Sequence, residues 1–447
     1  MRPIAQPLLL ALGLPVLLVA AQQQLLLRLP PRLERLEPAA ASAGPAALQA
    51  HFSRPMRRSA VAAASRLRPS LAHGWLGSGN ALRLSLTAGQ RLSGPLELDL
   101  AGGDLRGQAL TPSRWHWDPR GRVLAVVSVA GGEQLQLREH NGSWQPITPV
   151  WPEIPLLLPL GDGSAVAAAS RQGDGRLRLW RIPVRQANLT PQGNRRPTAA
   201  LADQPQRLLP APVLFAHLSS NRRGDLLVQS GGPEPGSSEA RLLSRSGANL
   251  ALPWPTSGPM QLLPEGGAVL VPDTEGLHLE TLPPAAPQRQ TLPGSRDLSS
   301  FCPQAGRAVL LRHWPDYRRS LELVEPGQPP RQLWLGRDAV VATACNRGGE
   351  RVWALLLEGY QQPTLKLVMF GRQGQVLGRR LLSGWELEPG TGLHWDPASG
   401  ELLSALRRLR RGDQHPEPAR AVLIDGTSLK LRPLPPPVRQ AVWLPAG

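Results

Sequence analysis

WHWDPRGRVLAVVS, residues 115–128, and GLHWDPASGELLSALR, residues 392–407, follow one plan: an apolar strand, a turn carrying Pro or Gly, and a second apolar strand. The plan recurs as PLLLPLGDGSAVAAAS (155–170), VLFAHLSSNRRGDLLVQS (213–230), MQLLPEGGAVLV (260–271), SSFCPQAGRAVLLR (299–312) and VATACNRGGERVWALLLE (341–358). An L-x-L pair of strand period follows most copies, as at Leu135/Leu137, Leu177/Leu179, Leu277/Leu279, Leu321/Leu323 and Leu365/Leu367. Each copy therefore holds a tight hairpin and a third strand, with room for a fourth before the next copy begins.

Residues 442–447 read as the first strand and turn of one more copy. Three unmatched strands lie near the other end: NALRLSLTAG (80–89), PLELDLAGG (95–103) with Leu96/Leu98, and DLRGQALTP (104–112). A C-terminal first strand joining N-terminal strands would close a ring of sheets and remove its open edges. First-strand turns fall about 47 residues apart, the spacing of four-stranded units. The count is eight, or seven if the copy at 213–230 is misread.

This pattern resembles the β-propeller superfamily, and the W-x-P-x-G turn feeding an apolar strand looks most like TolB-type repeats. The resemblance covers residues 80–447 and implies an all-β, eight-bladed propeller (seven blades the alternative). It implies no particular activity, because propellers host binding, scaffolding and several chemistries. The Gly-His and Trp-Asp pairs of WD repeats are missing from their usual places; Trp117-Asp118 and Trp395-Asp396 precede a Pro instead.

Composition agrees with many turns and short strands: Pro 49 and Gly 45 in 447 residues, 41% hydrophobic and 19% charged. The formal charge is +17, but lysine occurs only at Lys366 and Lys430, and the remaining basic residues are arginines spread along the chain. With Tyr 2 and Phe 4 there are few stacking platforms for single strands. Nucleic acid is not an expected partner.

Residues 1–29 read as a signal peptide or N-terminal membrane anchor, because Pro7 to Ala21 is an uncharged apolar run behind Arg2. Export by either device places the chain outside the cytoplasm, in the periplasm of a bacterium. A cytoplasmic-facing anchor is the alternative, since Arg28, Arg32 and Arg35 follow the run. Residues 30–79 are Pro/Ala/Arg-rich with few large apolar residues, and read as a tether.

Phosphate-loop, nucleophile-elbow, HExxH and EF-hand signatures do not occur. The sharpest candidate constellation is His116, Asp118, His394 and Asp396, from two identical HWDP tetrapeptides. Residues i and i+2 share a strand face, so each His-x-Asp unit could offer imidazole and carboxylate to a divalent metal in the channel. Alternatively, each Asp caps its own turn and the tryptophans pack between blades. Cys302 and Cys345 occupy one register in neighbouring copies. They could pair in an oxidising compartment, but the usual spacing of inner strands favours two buried thiols. The basic loop Arg407–Arg411 reads as a solvated hairpin tip, with an anionic partner or lipid headgroups as the alternative; Arg411-Gly412-Asp413 within it and the sequons at Asn141 and Asn188 are short enough to arise by chance. The function these features suggest is a non-catalytic platform, exported or membrane-tethered, that presents loops to a protein or glycan. A propeller hydrolase or lyase, or a structural subunit of a membrane assembly, are the alternatives.

Overall fold

The structure is a computed structural model that describes residues 29–41, 44–192, 200–232, 237–303, 306–359, 361, 363–409 and 417–446. Its contacts divide into two compact units. The first holds the described residues up to Thr87 together with Leu96–His116; the second holds Ala88–Pro95 and nearly all described residues from Trp117 onward.

The first unit is built on a sheet in the order Leu33–Ala39, Ala47–Phe52, Ala81–Leu86, His73–Ser78. Alternate residues Leu48, Ala50 and Phe52 on one strand and Leu82, Leu84 and Leu86 on its neighbour are all buried, as a strand period of two requires. A short helix, Arg58–Ala64, buries Val61. Arg66–Arg68, Leu96–Leu100 and Ser113–Trp117 lie in a second sheet. Much of the stretch read as a tether, 30–79, lies in these strands and this helix. Its few apolar residues suffice because Ala81–Leu86, beyond the expected boundary, supplies the facing half of the core. The apolar run at 7–21 lies outside the described residues, and among the described residues no helix is long and apolar enough to cross a membrane.

The second unit is a β-propeller. Among the described residues its blade strands lie in six sheets, one of them an eight-stranded sheet that runs through two blades. Blade 1 contains Arg122–Val129, Gly132–Arg138 and Trp144–Pro146, and blade 2 contains Leu156–Pro159, Ala165–Arg171 and Leu177–Arg185 with two short outer strands. Blades 3 to 6 each have four strands, beginning at Phe215–Ser220, Gln261–Leu262, Arg296–Phe301 and Ala339–Cys345. Blade 7 contains His394–Asp396, Trp385–Leu387, Glu401–Arg408 and Arg420–Asp425.

One long strand, Leu431–Leu444, joins blade 7 to blade 1. Its beginning pairs with Arg420–Asp425. Its end pairs with Arg122–Val129, placing Leu444 opposite Arg122 and Ala441 opposite Ala125. The C-terminal segment is therefore the inner strand that closes the ring, but its partner is not the N-terminal group at 80–112. Those strands belong to the first unit or its second sheet. The expected hairpin at 115–128 is likewise absent, because the closing strand occupies the inner place beside Arg122–Val129. A repeated HWDP tetrapeptide marks a turn; it does not say which strand pairs across it.

Blade strands bury both faces. On Arg122–Val129, Leu124 and Val126 join a core with blade 2, while Val123, Ala125 and Val127 join one with blade 7. On Arg351–Glu358, Trp353 and Leu355 face blade 7, and Val352, Ala354 and Leu356 face blade 5. Similar cores fill the seams between blades 2 and 3 and between blades 3 and 4. At the seam between blades 4 and 5 lies an apolar cavity of about 480 Å³, lined by Leu277, Leu279, Leu292, Phe301 and Leu310 among others.

Cys302 and Cys345 form a disulfide with their α-carbons 4.9 Å apart, which corrects the expectation of two thiols. The inner strands of blades 5 and 6 converge at this end. Thr343 Oγ1 donates to Ser299 Oγ at 2.8 Å and lies 2.7 Å from Ser300 Oγ. Small hydroxyl residues on facing strands permit this approach, and the α-carbon distance then falls inside the range a disulfide bridges.

Candidate functional site

The two HWDP turns end up on either side of the closure seam. Trp395 stacks on Trp353 of blade 6 with ring centroids 4.5 Å apart, so it packs between blades. The Asp396 carboxylate accepts the Ser399 N–H at 2.8 Å and the Ala398 N–H at 3.4 Å, and also a backbone N–H from Gly121. It therefore caps its own turn and ties it to the other copy. Burial raises its carboxyl above the usual range, and these hydrogen bonds only partly offset that. His394 is held neutral by burial, down to about 4, and its carbonyl accepts the Trp443 indole N–H at 3.2 Å.

Asp118 is held by its neighbour. Arg120 Nε and Nη2 lie 2.9 and 2.7 Å from the two carboxylate oxygens, a bidentate pair. His140 Nε2 is 3.5 Å from Asp118 Oδ2. Burial alone would raise the Asp118 carboxyl; the Arg120 hydrogen bond and His140 outweigh it and bring it below the usual range. His140 is pushed down to about 4 by burial, against the pull of Asp118. His116 belongs to the first unit, in Ser113–Trp117. Within the second unit, Asp118 is engaged by Arg120 and Asp396 by the backbone of its own turn. Among the described residues no group of three or more His, Cys, Asp or Glu is placed to hold a metal ion.

What the turns do frame is a cavity of about 500 Å³ at the end of the seam between blades 7 and 1. Val123, Leu423 and Trp443 form its apolar floor and belong to or pack on the seam core. Its walls are charged: Arg91, Arg120, Arg122, Arg138 and Arg432 face Glu139, Glu401 and Asp425, with Ser93, His140 and Ser399 between them. Strand register places several of these side by side. Arg138 pairs with Val123, Glu401 with Asp425, and Arg432 with Leu423.

Arg122 is the most buried of the arginines. Its Nε donates to Glu139 Oε2 at 2.8 Å and its Nη1 to Gln186 Oε1 at 2.8 Å, with Asn188 Oδ1 as a further acceptor. Glu139 Oε1 accepts from Gln145 and from the Ala200 N–H, so both partners of this buried pair are satisfied. Asn188 is buried and also donates to the Ala446 carbonyl at 2.6 Å. Its sequon is thereby a structural residue. Asn141 is exposed and accepts from its own turn at Ser143.

Arg91 pairs with Asp425 at 2.6 Å. Burial would raise the Asp425 carboxyl, but bonds from Ser428 and Thr427 and the Arg91 charge bring it to about 2. Arg432 pairs with Glu401 at 3.0 Å. In the basic loop, Arg407 pairs with Glu386 at 2.8 Å and Arg408 lies over the Trp385 ring; Arg410, Arg411 and the RGD triplet fall outside the described residues.

Sequence reasoning found the HWDP turns and missed the cavity. Its charged residues come from segments near 91, 120–122, 138–140, 399–401, 425 and 432, and only the pairing of the closing strand brings them together. The available signal was the turn Pro119-Arg120-Gly121-Arg122, which puts two arginines at the tip of a repeat.

No protein-family model matches the sequence, and no curated protein matches it. Among solved structures, the chain is similar to TolB from Acinetobacter baumannii, at 11% identity over 80% of this chain and 81% of that one, with a TM-score of 0.41. It is similar to apo AztD from Citrobacter koseri, at 12% identity over 72% and 98% of the two chains, TM-score 0.45. It is also similar to the β-propeller domain of the Trilobed protease from Pyrococcus furiosus, at 11% identity over 78% and 96%, TM-score 0.42. Likeness at this level concerns the fold alone.

Proposed function

We propose that this chain is a non-catalytic binding platform that works outside the cytoplasm and presents the closure seam to a protein or glycan partner. The observation that carries the reading is the charged cavity between blades 7 and 1. Its carboxylates are each committed to an arginine, so the wall offers hydrogen-bond donors held in place by ion pairs. The propeller beneath it is rigid, with strands buried on both faces. Work outside the cytoplasm is supported by the Cys302–Cys345 disulfide, a bond that persists in oxidising compartments, and by the apolar run at 7–21. That run would export the chain or tether it to a membrane.

The test is photo-crosslinking in living cells from a reactive residue placed at Ser399, at the cavity wall, with Leu377, an exposed position on blade 6, as the control. A discrete adduct from Ser399 alone, to a non-cytoplasmic protein or a glycan, supports the platform. Equal, diffuse labelling from both positions refutes it.

A further inference from the structure

We propose that the closure-seam cavity is a binding site for a small oxyanion ligand, a carboxylate or phosphate group, with Arg138 as its principal anchor. The inference deepens the binding-platform reading and rests on it. Charge pairing in the cavity leads to it. Arg91 is matched by Asp425, Arg120 by Asp118, Arg122 by Glu139 and Arg432 by Glu401. Four carboxylates serve four arginines, and Arg138 is the fifth. Among the described residues no hydrogen bond or ion pair engages its guanidinium, although the side chain is half-buried in the cavity wall.

A cation removed from water without a partner is costly, and a guanidinium presents a planar fork suited to a carboxylate or phosphate. Burial and the nearby Arg432 charge outweigh the attraction of Glu401, which is itself paired with Arg432, and make the Arg138 cation harder to keep. An anion seated between the two arginines would relieve both effects. The Arg138 head group lies against the turn Glu139–Ser143, where a β-carbon on Gly142 would come within 3.3 Å of Arg138 Nη2. Gly142 has a φ of 92°, so the turn needs glycine for its backbone and the guanidinium uses the space that results. His140, neutral at pH 7, adds no competing positive charge and offers a polar ring nitrogen beside the site. The volume suits a small molecule, within the range of ordinary ligand pockets.

The experiment uses the purified full chain and four probes in calorimetric titration: inorganic phosphate, glucose 6-phosphate, glucuronate, and glucose as the neutral control. Wild-type protein should bind at least one anionic probe saturably, and glucose not at all. Arg138→Gln should weaken that binding by about tenfold or more, the loss of one charge-assisted fork, and Arg138→Lys should recover part of it. Phosphate alone binding as well as glucose 6-phosphate identifies a free anion as the ligand; sugar acids binding better identify an acidic sugar. Folding is checked by melting. Because no hydrogen bond or ion pair among the described residues holds Arg138, Arg138→Gln should melt close to wild type and should lose the stabilisation that the anion confers. The proposal is overturned if no anion saturates at millimolar concentration, if Arg138→Gln binds unchanged, or if glucose binds equally. A specific adduct from Ser399 alongside any of these results would leave the platform standing and remove only the anion site.

Discussion

Removing the Cys302–Cys345 bond is the perturbation whose size follows most directly from the structure. The two cysteines are 43 residues apart in sequence and join the inner strands of adjacent blades. Chain-entropy arguments assign a loop of this length about 4 kcal/mol of stabilisation, through the freedom it denies the unfolded chain. For a unit of roughly 330 residues melting as one body, the unfolding entropy converts this to a fall in Tm of about 6 °C. Serine replaces each sulfur with little change in volume, so the Cys302→Ser, Cys345→Ser double variant reports the cross-link and not a cavity. The assay is calorimetric melting of oxidised wild type, reduced wild type and the double variant, with thiols counted under non-reducing conditions. Reduced wild type and the double variant should melt together, below the oxidised protein. Two free thiols in protein recovered from its native compartment, or one melting temperature for all three forms, would refute the reasoning.

Acid should weaken the fold through His140 and His394, both held neutral to about 4 by burial. The unfolded chain takes up these protons first, so stability falls as pH drops from about 6.5 to 4, by roughly 3 kcal/mol at most for each histidine. Asp396, raised by burial, acts in the opposite sense nearer its own range. The His140→Gln, His394→Gln double variant should flatten melting temperature against pH across that window, and an unchanged slope would exclude these groups as the cause. Closure by residues 438–444 predicts that Leu444→Ala, at a fully buried site, costs about 2–5 kcal/mol in urea unfolding; an effect under about 1 kcal/mol would mean that the end strand is dispensable. Breaking the buried Arg122–Glu139 pair with Glu139→Gln should cost about 3–5 kcal/mol, and unchanged stability would contradict the burial of Arg122. The cavity between blades 4 and 5 predicts faster hydrogen exchange in Gly276–Thr281 and Ala308–His313 than in Arg122–Val129. Equal protection would show that this seam is as tight as the others.

The fold was legible because a blade writes itself locally. A tight turn, a two-residue apolar period and a Gly at the bend fall within some twenty residues, so Ala165–Arg171 and Arg351–Glu358 stand out in the bare sequence. The closing strand was legible as a strand and not as a pairing. Leu444 meets Arg122 across more than 300 residues, and the HWDP copy at 116–119 imitates an inner strand just where the chain end takes that place. Composition did not reveal the strands within 30–79 because a strand such as Ala47–Phe52 needs apolar residues on one face only, and its partner at Ala81–Leu86 was credited to the propeller. The disulfide was hidden because inner-strand spacing varies along a blade, and the convergence beside Ser299, Ser300 and Thr343 is a tertiary fact. Of the candidate site, sequence pointed to the two turns. The arginines between them became a site only through ring closure.

The measurement that tests the central claim most directly is topology, with an export-dependent phosphatase fused after Gly447 and read in intact cells. A platform working outside the cytoplasm predicts an active fusion. A fusion that is full-length, stable and inactive would place the propeller in the cytoplasm and contradict the account.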